Sequence, residues 1–217
     1  MLEPDVVPAP RRERKKRQTR DALIAAALDL FEAKGYEHTA VHEITDAVDV
    51  SERTFFRYFA SKEDLALSFI QEGAQLVRER LAARPPEEAP LDAMRAAVRE
   101  SVAELTARSP VLQAEPTYLR IVKLIDSTPV LLAAQLRLTH DEDDGVVRAL
   151  AKREGVDPAT DLRPRILAAA FGALVFLATR EWRTGGAHDV EAMLAQLDTY
   201  AAQLGPALAG HWDRPAG

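Results

Sequence analysis

The residues between Ser51 and Lys62 carry the side chains of this chain that are best suited to binding chemistry. An arginine guanidinium can donate paired hydrogen bonds to guanine or to a phosphate, a phenol can donate to a phosphate oxygen, and a methyl group or aromatic ring can contact a thymine methyl. Phe55 and Phe59 are one helical turn apart and are expected to pack inward, which leaves the polar and cationic side chains outward. The segment therefore predicts binding in the major groove of DNA. Its predicted contact residues are Ser51, Arg53, Thr54, Phe56, Arg57, Tyr58 and Lys62.

Two short helices around a tight turn would position this segment. Thr39 is a suitable N-cap for the first helix, and Ser51 is a suitable N-cap for a second helix over residues 52–59. This layout is that of a helix-turn-helix, in which the second helix enters the groove. Thr39, at the start of the first helix, is also predicted to contact DNA. The alternative is an ordinary packed helical pair with a solvated cationic face, but it leaves the order and spacing of the outward residues unexplained.

The same residues carry a family resemblance. The pattern T-A-V-x-x-I-x-x-A-V-x-V-S-x-x-T-F-F-R-Y-F-x-S-K-E-D-L, which begins at Thr39, resembles the DNA-binding domain of the tetracycline-repressor (TetR) family of bacterial regulators. That family usually has Gly in the turn and Tyr in the recognition helix, where this chain has Asp49 and Phe56. Asp tolerates a left-handed turn at a cost of about 1 kcal/mol relative to Gly. Phe56 lacks the family's hydroxyl, so we expect it to make an apolar contact with a base. The place of Lys62 in the motif implies a phosphate contact.

A basic segment precedes the helix-turn-helix. Residues 11–20 contain seven basic residues and one acidic residue, and they lead into an amphipathic helix that Gly35 should end. We expect residues 1–17 to form a basic, largely disordered arm, with Arg17 contacting DNA in a salt-dependent way. A solubilising tail is the alternative. The predicted DNA-binding domain spans residues 18–62.

Composition limits the remaining possibilities. The 217 residues are 47% hydrophobic, which suffices for a small DNA-reading head and one larger domain. The formal net charge is −6, yet residues 1–62 contain eleven basic and eleven acidic residues, so the acidic excess lies outside the head. The polar, basic N-terminus and the absence of Cys predict a cytoplasmic protein. The longest apolar run, residues 166–178, is shorter than the ~20 residues that cross a membrane.

The rest of the chain, residues 63–217, has helical periodicity throughout, so we predict an all-α protein: a three-helix head followed by a larger helical domain. Helices are expected at about 61–83, 91–108, 112–126, 129–154, 161–184 and 188–208. The apolar run at 165–183 should be buried on more than one side. The TetR resemblance implies that the last two helices pair with their copies in a homodimer, which would also let two heads read two half-sites. A purely intramolecular core is the alternative.

Polar residues within apolar stripes suggest a cavity for a small molecule, although each such residue taken alone is more typical of the surface than of a ligand contact. The run from Arg120 to Trp182 resembles those TetR members described as binding acyl-CoA-like ligands. This resemblance implies a hydrophobic effector, possibly with an anionic head group that Arg120, Lys123 or Arg137 would meet. The predicted ligand-binding residues are Tyr118, Ile121, Ile125, Leu136, Thr139, Asp143, Phe171 and Trp182.

No catalytic motif is present in the sequence, and His38 and His42 lack a nearby third ligand for zinc. We therefore expect no enzyme activity, no metal and no cofactor. The sequence predicts a dimeric transcription regulator, most simply a repressor, that binds a palindromic double-stranded operator and leaves it when a hydrophobic effector binds. The alternative is an architectural DNA-binding protein without an effector, which would show little sequence preference and have no ligand cavity.

Overall fold

The computed structural model describes residues 11–108, 116–184 and 190–209, and within these ranges every regular element is an α-helix. The prediction of an all-α fold is confirmed. The predicted bounds differ from the observed ones by only a few residues in most helices. The helices are α1 (Arg11–Lys34), α2 (Val41–Asp46), α3 (Glu52–Phe55), α4 (Lys62–Ala83), α5 (Pro90–Arg108), α6 (Pro116–Ser127), α7 (Pro129–Glu154), α8 (Arg163–Thr184) and α9 (Val190–Leu208).

The described residues form two compact units. The head unit consists of residues 11–68, 108 and 116–132, and the C-terminal unit consists of residues 69–107, 133–184 and 190–209. The sequence suggested a boundary at residue 62, with everything beyond it in the second domain. The contacts instead group α6 with the head unit.

The head unit is built around α1. Its apolar face buries Leu23, Ile24 and Leu28, each at most 2% exposed, against other helices of the unit. Gly35 ends α1 with a φ of 88°, a left-handed conformation that costs glycine little, and its N–H donates to the Phe31 carbonyl. The helix also includes the basic residues 11–17, which the sequence had placed in a largely disordered arm. Residues 1–10 lie outside the described residues.

Helix α6 is held to α1 by charge as well as by apolar packing. The Arg120 guanidinium donates from Nε to Glu32 Oε1 and from Nη2 to Asp29 Oδ1, both at 2.6 Å. The hydrogen bond with Glu32 is the main reason that the pKa of Arg120 is raised. The sequence offered Arg120 as a partner for the anionic part of an effector. In the structure its charge is already matched by two carboxylates of α1.

The C-terminal unit is centred on the packing of α8 against α9. Helix α5 is joined to α9 by two arginines, because Arg95 Nε donates to Asp198 Oδ1 at 2.9 Å and Arg99 Nη2 donates to Asp198 Oδ2 at 2.6 Å. Burial acts to raise the pKa of Asp198, but the hydrogen bonds from the two arginines outweigh it and lower that pKa. These contacts fix α9 against its neighbour within the unit.

Helix α8 is buried on one side only within the single chain. Phe171 and Trp182 are 3% and 5% exposed, whereas Ile166 and Phe176 on the opposite face are 64% and 62% exposed. The expectation of burial on more than one side is therefore not met by the chain alone. No helix in the described ranges is both long and apolar enough to cross a membrane.

Candidate DNA-binding site

The first helix of the predicted motif begins one residue later than expected. Its N-cap is Ala40, whose N–H donates to Glu43 Oε2 at 2.8 Å, so Thr39 does not cap it. Thr39 is 2% exposed, and its hydroxyl donates to the Gly35 carbonyl at 2.9 Å. The prediction that Thr39 is the N-cap is wrong. Since the side chain is buried, its observed role is to join α2 to the end of α1.

Lys62 completes the same junction from the other side. Its ammonium group donates to the carbonyls of Tyr36 at 2.5 Å and Thr39 at 2.8 Å, and it lies 4.3 Å from the centre of the Tyr36 ring. Burial lowers the pKa of Lys62, while the nearby charge of Glu37 opposes that shift. The two carbonyls use two of the three N–H groups of the ammonium, so a phosphate could be reached only by the remaining N–H. We therefore expect Lys62 to position the turn between α1 and α2.

The turn between α2 and α3 has the predicted geometry. Asp49 has a φ of 52°, the left-handed conformation that was expected at this position. Ser51 caps α3 as predicted, with its Oγ accepting from the Thr54 N–H at 3.2 Å. The regular helix is shorter than expected because it ends at Phe55, and residues 56–58 continue as hydrogen-bonded turns. The N–H of Phe59 still donates to the Phe55 carbonyl at 3.0 Å, so the segment keeps its helical curvature.

The inward and outward residues of this segment lie as the sequence predicted. Phe55 and Phe59 are 0% and 2% exposed, and their ring centres are 5.5 Å apart. Arg53, Phe56 and Arg57 are exposed, whereas Thr54 and Tyr58 are half-buried. We call residues 51–59 the recognition segment. Its outer surface contains a concavity of about 600 Å³ lined by Ser51, Arg53, Thr54, Phe56 and Arg57.

The Arg57 side chain lies close to Tyr58. Its guanidinium carbon is 5.2 Å from the centre of the Tyr58 ring, and its Nη2 donates to the Tyr58 hydroxyl at 3.5 Å. A guanidinium stacked on a ring keeps its outer N–H groups available to a ligand. On α1, Arg17 is also exposed, along with most of the basic residues around it. The exposed surface of the described head thus offers cations at both α1 and the recognition segment.

Sequence reasoning missed two residues that organise the head. Tyr36 is 8% exposed and packs on Phe31 with ring centres 5.1 Å apart; burial, followed by the charges of Glu63 and Glu37, raises its pKa to about 12. Glu43 accepts from the Ala40 N–H and pairs with Lys34, and these bonds lower its pKa. A carboxylate three residues after the N-cap is a capping-box signal that could have identified Glu43.

The predicted ligand-binding residues are distributed over both units. Ile121 and Ile125 are buried in the head unit, while Phe171 and Trp182 are buried in the C-terminal unit. Leu136 is 64% exposed. The side chains of Tyr118, Thr139 and Asp143 lie outside the described residues.

Comparisons with known proteins match both parts of the chain. Residues 23–69 match the family described as "Bacterial regulatory proteins, tetR family", and residues 88–209 match the "MftR C-terminal domain". The HTH-type transcriptional regulator TcmR of Streptomyces glaucescens is 40% identical over 204 residues, which cover 94% of this chain and 90% of TcmR. The uncharacterized HTH-type transcriptional regulator YuxN of Bacillus subtilis is 46% identical over 48 residues, or 22% of this chain and 16% of YuxN.

Solved structures share the fold. NalD, the secondary repressor of the MexAB-OprM multidrug efflux pump in Pseudomonas aeruginosa, superposes with a TM-score of 0.54 at 23% identity, over 88% of this chain and 95% of NalD. The SmeT–triclosan complex superposes with a TM-score of 0.54 at 18% identity, over 92% of this chain and 99% of SmeT. At these identities the likeness concerns the fold alone.

Proposed function

Because this chain belongs to the TetR family of bacterial transcriptional regulators, we propose that it is a repressor that binds a palindromic operator as a homodimer and is released by a hydrophobic effector. The observation that carries the DNA-binding part is the recognition segment. Its two buried phenylalanines anchor it to the head, and its arginines face outward around a concavity. Such a surface can donate to guanine edges and phosphates in a major groove.

The residues of this surface divide by chemistry. Arg53 and Arg57 are the candidates for base or phosphate contacts, and Tyr58 can donate its hydroxyl to a phosphate. Ser51 and Thr54 have hydroxyl oxygens 3.0 Å apart, so part of their hydrogen-bonding capacity is already used within the segment. Arg17 would add a backbone contact from α1 that depends on salt. The resulting site combines positioning by phosphates with readout of bases.

The dimer proposal rests on the outward faces of α8 and α9. On α8, the exposed Ile166 and Phe176 lie on one face with the exposed Ala169 and Ala173 between them. On α9, the exposed face carries mostly small side chains, which permit close helix approach: Ala192, Ala195, Thr199 and Ala202. An apolar helix face of this kind is stable when a partner covers it. Two copies paired through a two-fold axis would bury both faces in a four-helix bundle.

The effector proposal uses the connection between α6 and α1. Ile121 and Ile125, two of the predicted ligand residues, belong to the same helix as Arg120, whose guanidinium is bonded to α1. A ligand that changes how α6 packs would therefore change the position of the helix that supports the reading head. Ligand and operator would then favour different states, and each would weaken the other by the same coupling free energy, typically ~1–3 kcal/mol. The family resemblance makes an acyl-CoA the first class of effector to test.

The test is a selection of operators from random duplex DNA, followed by fluorescence-anisotropy titration in a salt series with and without dodecanoyl-CoA. The proposal predicts tight binding to one palindromic sequence and its release by the acyl-CoA, with free coenzyme A as the control. Selective binding that dodecanoyl-CoA leaves unchanged would contradict the acyl-CoA assignment. Binding without sequence preference at physiological salt would contradict the regulator itself.

A second measurement tests the sign of regulation. The selected operator is placed between a promoter and a reporter gene, with and without expression of this chain. A repressor lowers reporter output when it occupies an operator that overlaps the promoter. Raised output on expression would contradict the repressor assignment while leaving operator binding intact.

A further inference from the structure

Phe56 is the most exposed member of the aromatic cluster in the recognition segment. Its ring is 53% exposed, although it directly follows Phe55, which is 0% exposed. The exposed residues around it, Glu52, Arg53 and Arg57, are charged, so solvation alone would favour a polar side chain at this position. A large apolar ring held in water on a DNA-reading surface indicates that it is covered when the site is occupied.

The ring of Phe56 is also held in place before any ligand arrives. Its centre is 5.3 Å from that of Phe55, with the ring planes at 81°, an edge-to-face contact. Phe55 is in turn packed on Phe59, so the exposed ring rests on a buried aromatic pair. The backbone of Phe56 is helical, with φ −65° and ψ −9°. Little conformational freedom remains to be lost when this side chain enters a contact.

The surroundings of the ring define what it can contact. Phe56 shares the concavity of about 600 Å³ with Arg53 and Arg57. Ser51 and Thr54, which also line it, hydrogen-bond to each other at 3.0 Å. The concavity therefore combines an apolar surface with guanidinium donors. Phe56 itself has no hydroxyl with which to contact a phosphate, so its contribution must come from apolar contact.

Among the base edges of the major groove, the apolar group is the C5-methyl of thymine, whereas the other features are hydrogen-bond donors and acceptors. We propose that Phe56 is a specificity-determining residue and that its ring contacts the methyl group of one thymine in each operator half-site. This inference rests on the proposed function, since it requires that the recognition segment read DNA. It goes further by naming the base, and the atom of that base, that the segment selects.

The experiment removes the methyl group without changing any hydrogen bond of the base pair. Each thymine of the selected operator is replaced in turn by deoxyuridine, and affinity is measured by anisotropy. One methyl group lost from a covered apolar contact should weaken binding by roughly threefold to tenfold in each half-site. We expect this loss at one thymine position per half-site, and little change at the others.

The variant Phe56→Ala tests whether this residue senses the methyl group. It should bind the thymine operator more weakly than the wild type and should no longer distinguish thymine from deoxyuridine at the sensitive position. Phe56→Leu, which keeps an apolar side chain, should retain part of the distinction. Arg57→Ala is the matched control, because it should weaken binding while preserving the full methyl dependence. Circular dichroism of each variant checks that the head is folded.

The outcomes separate this inference from the proposed function. If the wild type selects an operator but tolerates deoxyuridine at every thymine, or if the selected half-site has no thymine, the inference is overturned while the regulator stands. The inference is also overturned if Phe56→Ala keeps the methyl dependence. If the wild type selects no sequence at all, the proposed function fails and this inference fails with it.

Discussion

The recognition segment and the outward face of α8 both expose aromatic side chains, but in different surroundings. Phe56 is 53% exposed among arginines and hydroxyls, whereas Phe176 is 62% exposed on a face where the exposed Ala169 and Ala173 lie between it and Ile166. The first setting suits a partner with both charge and apolar groups, as DNA has. The second suits a partner with the same apolar character, as a second copy of the chain has. For these two surfaces, the residues around the exposed ring indicate which kind of partner would cover it.

The largest expected effect comes from placing a charge on the α8 face. Phe176→Glu would place a carboxylate within the apolar contact of each protomer of the proposed dimer, and a buried charge without full compensation typically costs ~3–5 kcal/mol per site. We expect the dimer dissociation constant to rise by at least about 1,000-fold. Sedimentation velocity measures this change.

Leu136→Glu is the control for this variant. Leu136 is 64% exposed on α7, comparable to Phe176, but it lies outside the proposed interface. The Leu136→Glu variant should therefore remain dimeric. A Phe176→Glu protein that stays dimeric would place the dimer interface elsewhere.

The next effect contrasts the two adjacent phenylalanines. Phe55→Ala should destabilise the head by ~3–5 kcal/mol, because the side chain is fully buried and its removal leaves a cavity. Phe56→Ala should change stability by no more than ~0.5 kcal/mol, since more than half of its ring is already in water. Native-state hydrogen exchange of amides in α1 and α2 measures the change in stability for both variants. Equal losses for the two variants would contradict the division into an inner anchor and an outer reader.

A smaller effect tests whether Lys62 positions the turn between α1 and α2 or contacts a phosphate. Lys62→Met should destabilise the head by ~1–3 kcal/mol, because the Tyr36 and Thr39 carbonyls each lose the hydrogen bond from the ammonium group. The slope of log affinity against log salt should not change. Arg17→Met should instead leave stability unchanged and reduce the magnitude of that slope by about 0.9 per head, as loss of one phosphate contact requires. A reduced slope for Lys62→Met would show that Lys62 contacts a phosphate as well as the two carbonyls.

A further effect is expected at alkaline pH. The Tyr36 pKa is raised from 10.0 to about 12 in the folded head, mainly by burial. The unfolded chain therefore loses this proton first, so the stability contributed by Tyr36 is complete below pH 10 and declines between pH 10 and pH 12. Thermal unfolding followed by circular dichroism across this range measures the decline. Tyr36→Phe should flatten it, and an unchanged decline would assign the effect to other groups.

The sequence was most informative where structure depends on local signals. The cap at Ser51, the left-handed turn at Asp49 and the end of α1 at Gly35 each follow from one residue and its neighbours, and each was predicted correctly. The inward positions of Phe55 and Phe59 follow from helical spacing. Local chemistry and periodicity are sufficient for such features.

Features that depend on distant residues were harder to predict. The partners of Lys62 lie 23 and 26 residues away, and those of Arg120 lie 88 and 91 residues away. Periodicity can place these side chains on helices, but it cannot specify which carboxylate or carbonyl they will meet. The apolar run of α8 shows a related ambiguity, because hydrophobicity predicts burial without distinguishing the same chain from a second copy.

The most direct test of the account is the stoichiometry and spacing of the DNA complex. Sedimentation equilibrium of the selected operator duplex with this chain should give two chains per duplex, matching half-sites centred about 34 Å apart. Inserting about five base pairs between the half-sites turns one to the opposite side of the duplex and should reduce affinity by at least tenfold. One chain per duplex, with an affinity that does not depend on the spacing, would contradict a dimer in which two recognition segments read the operator together.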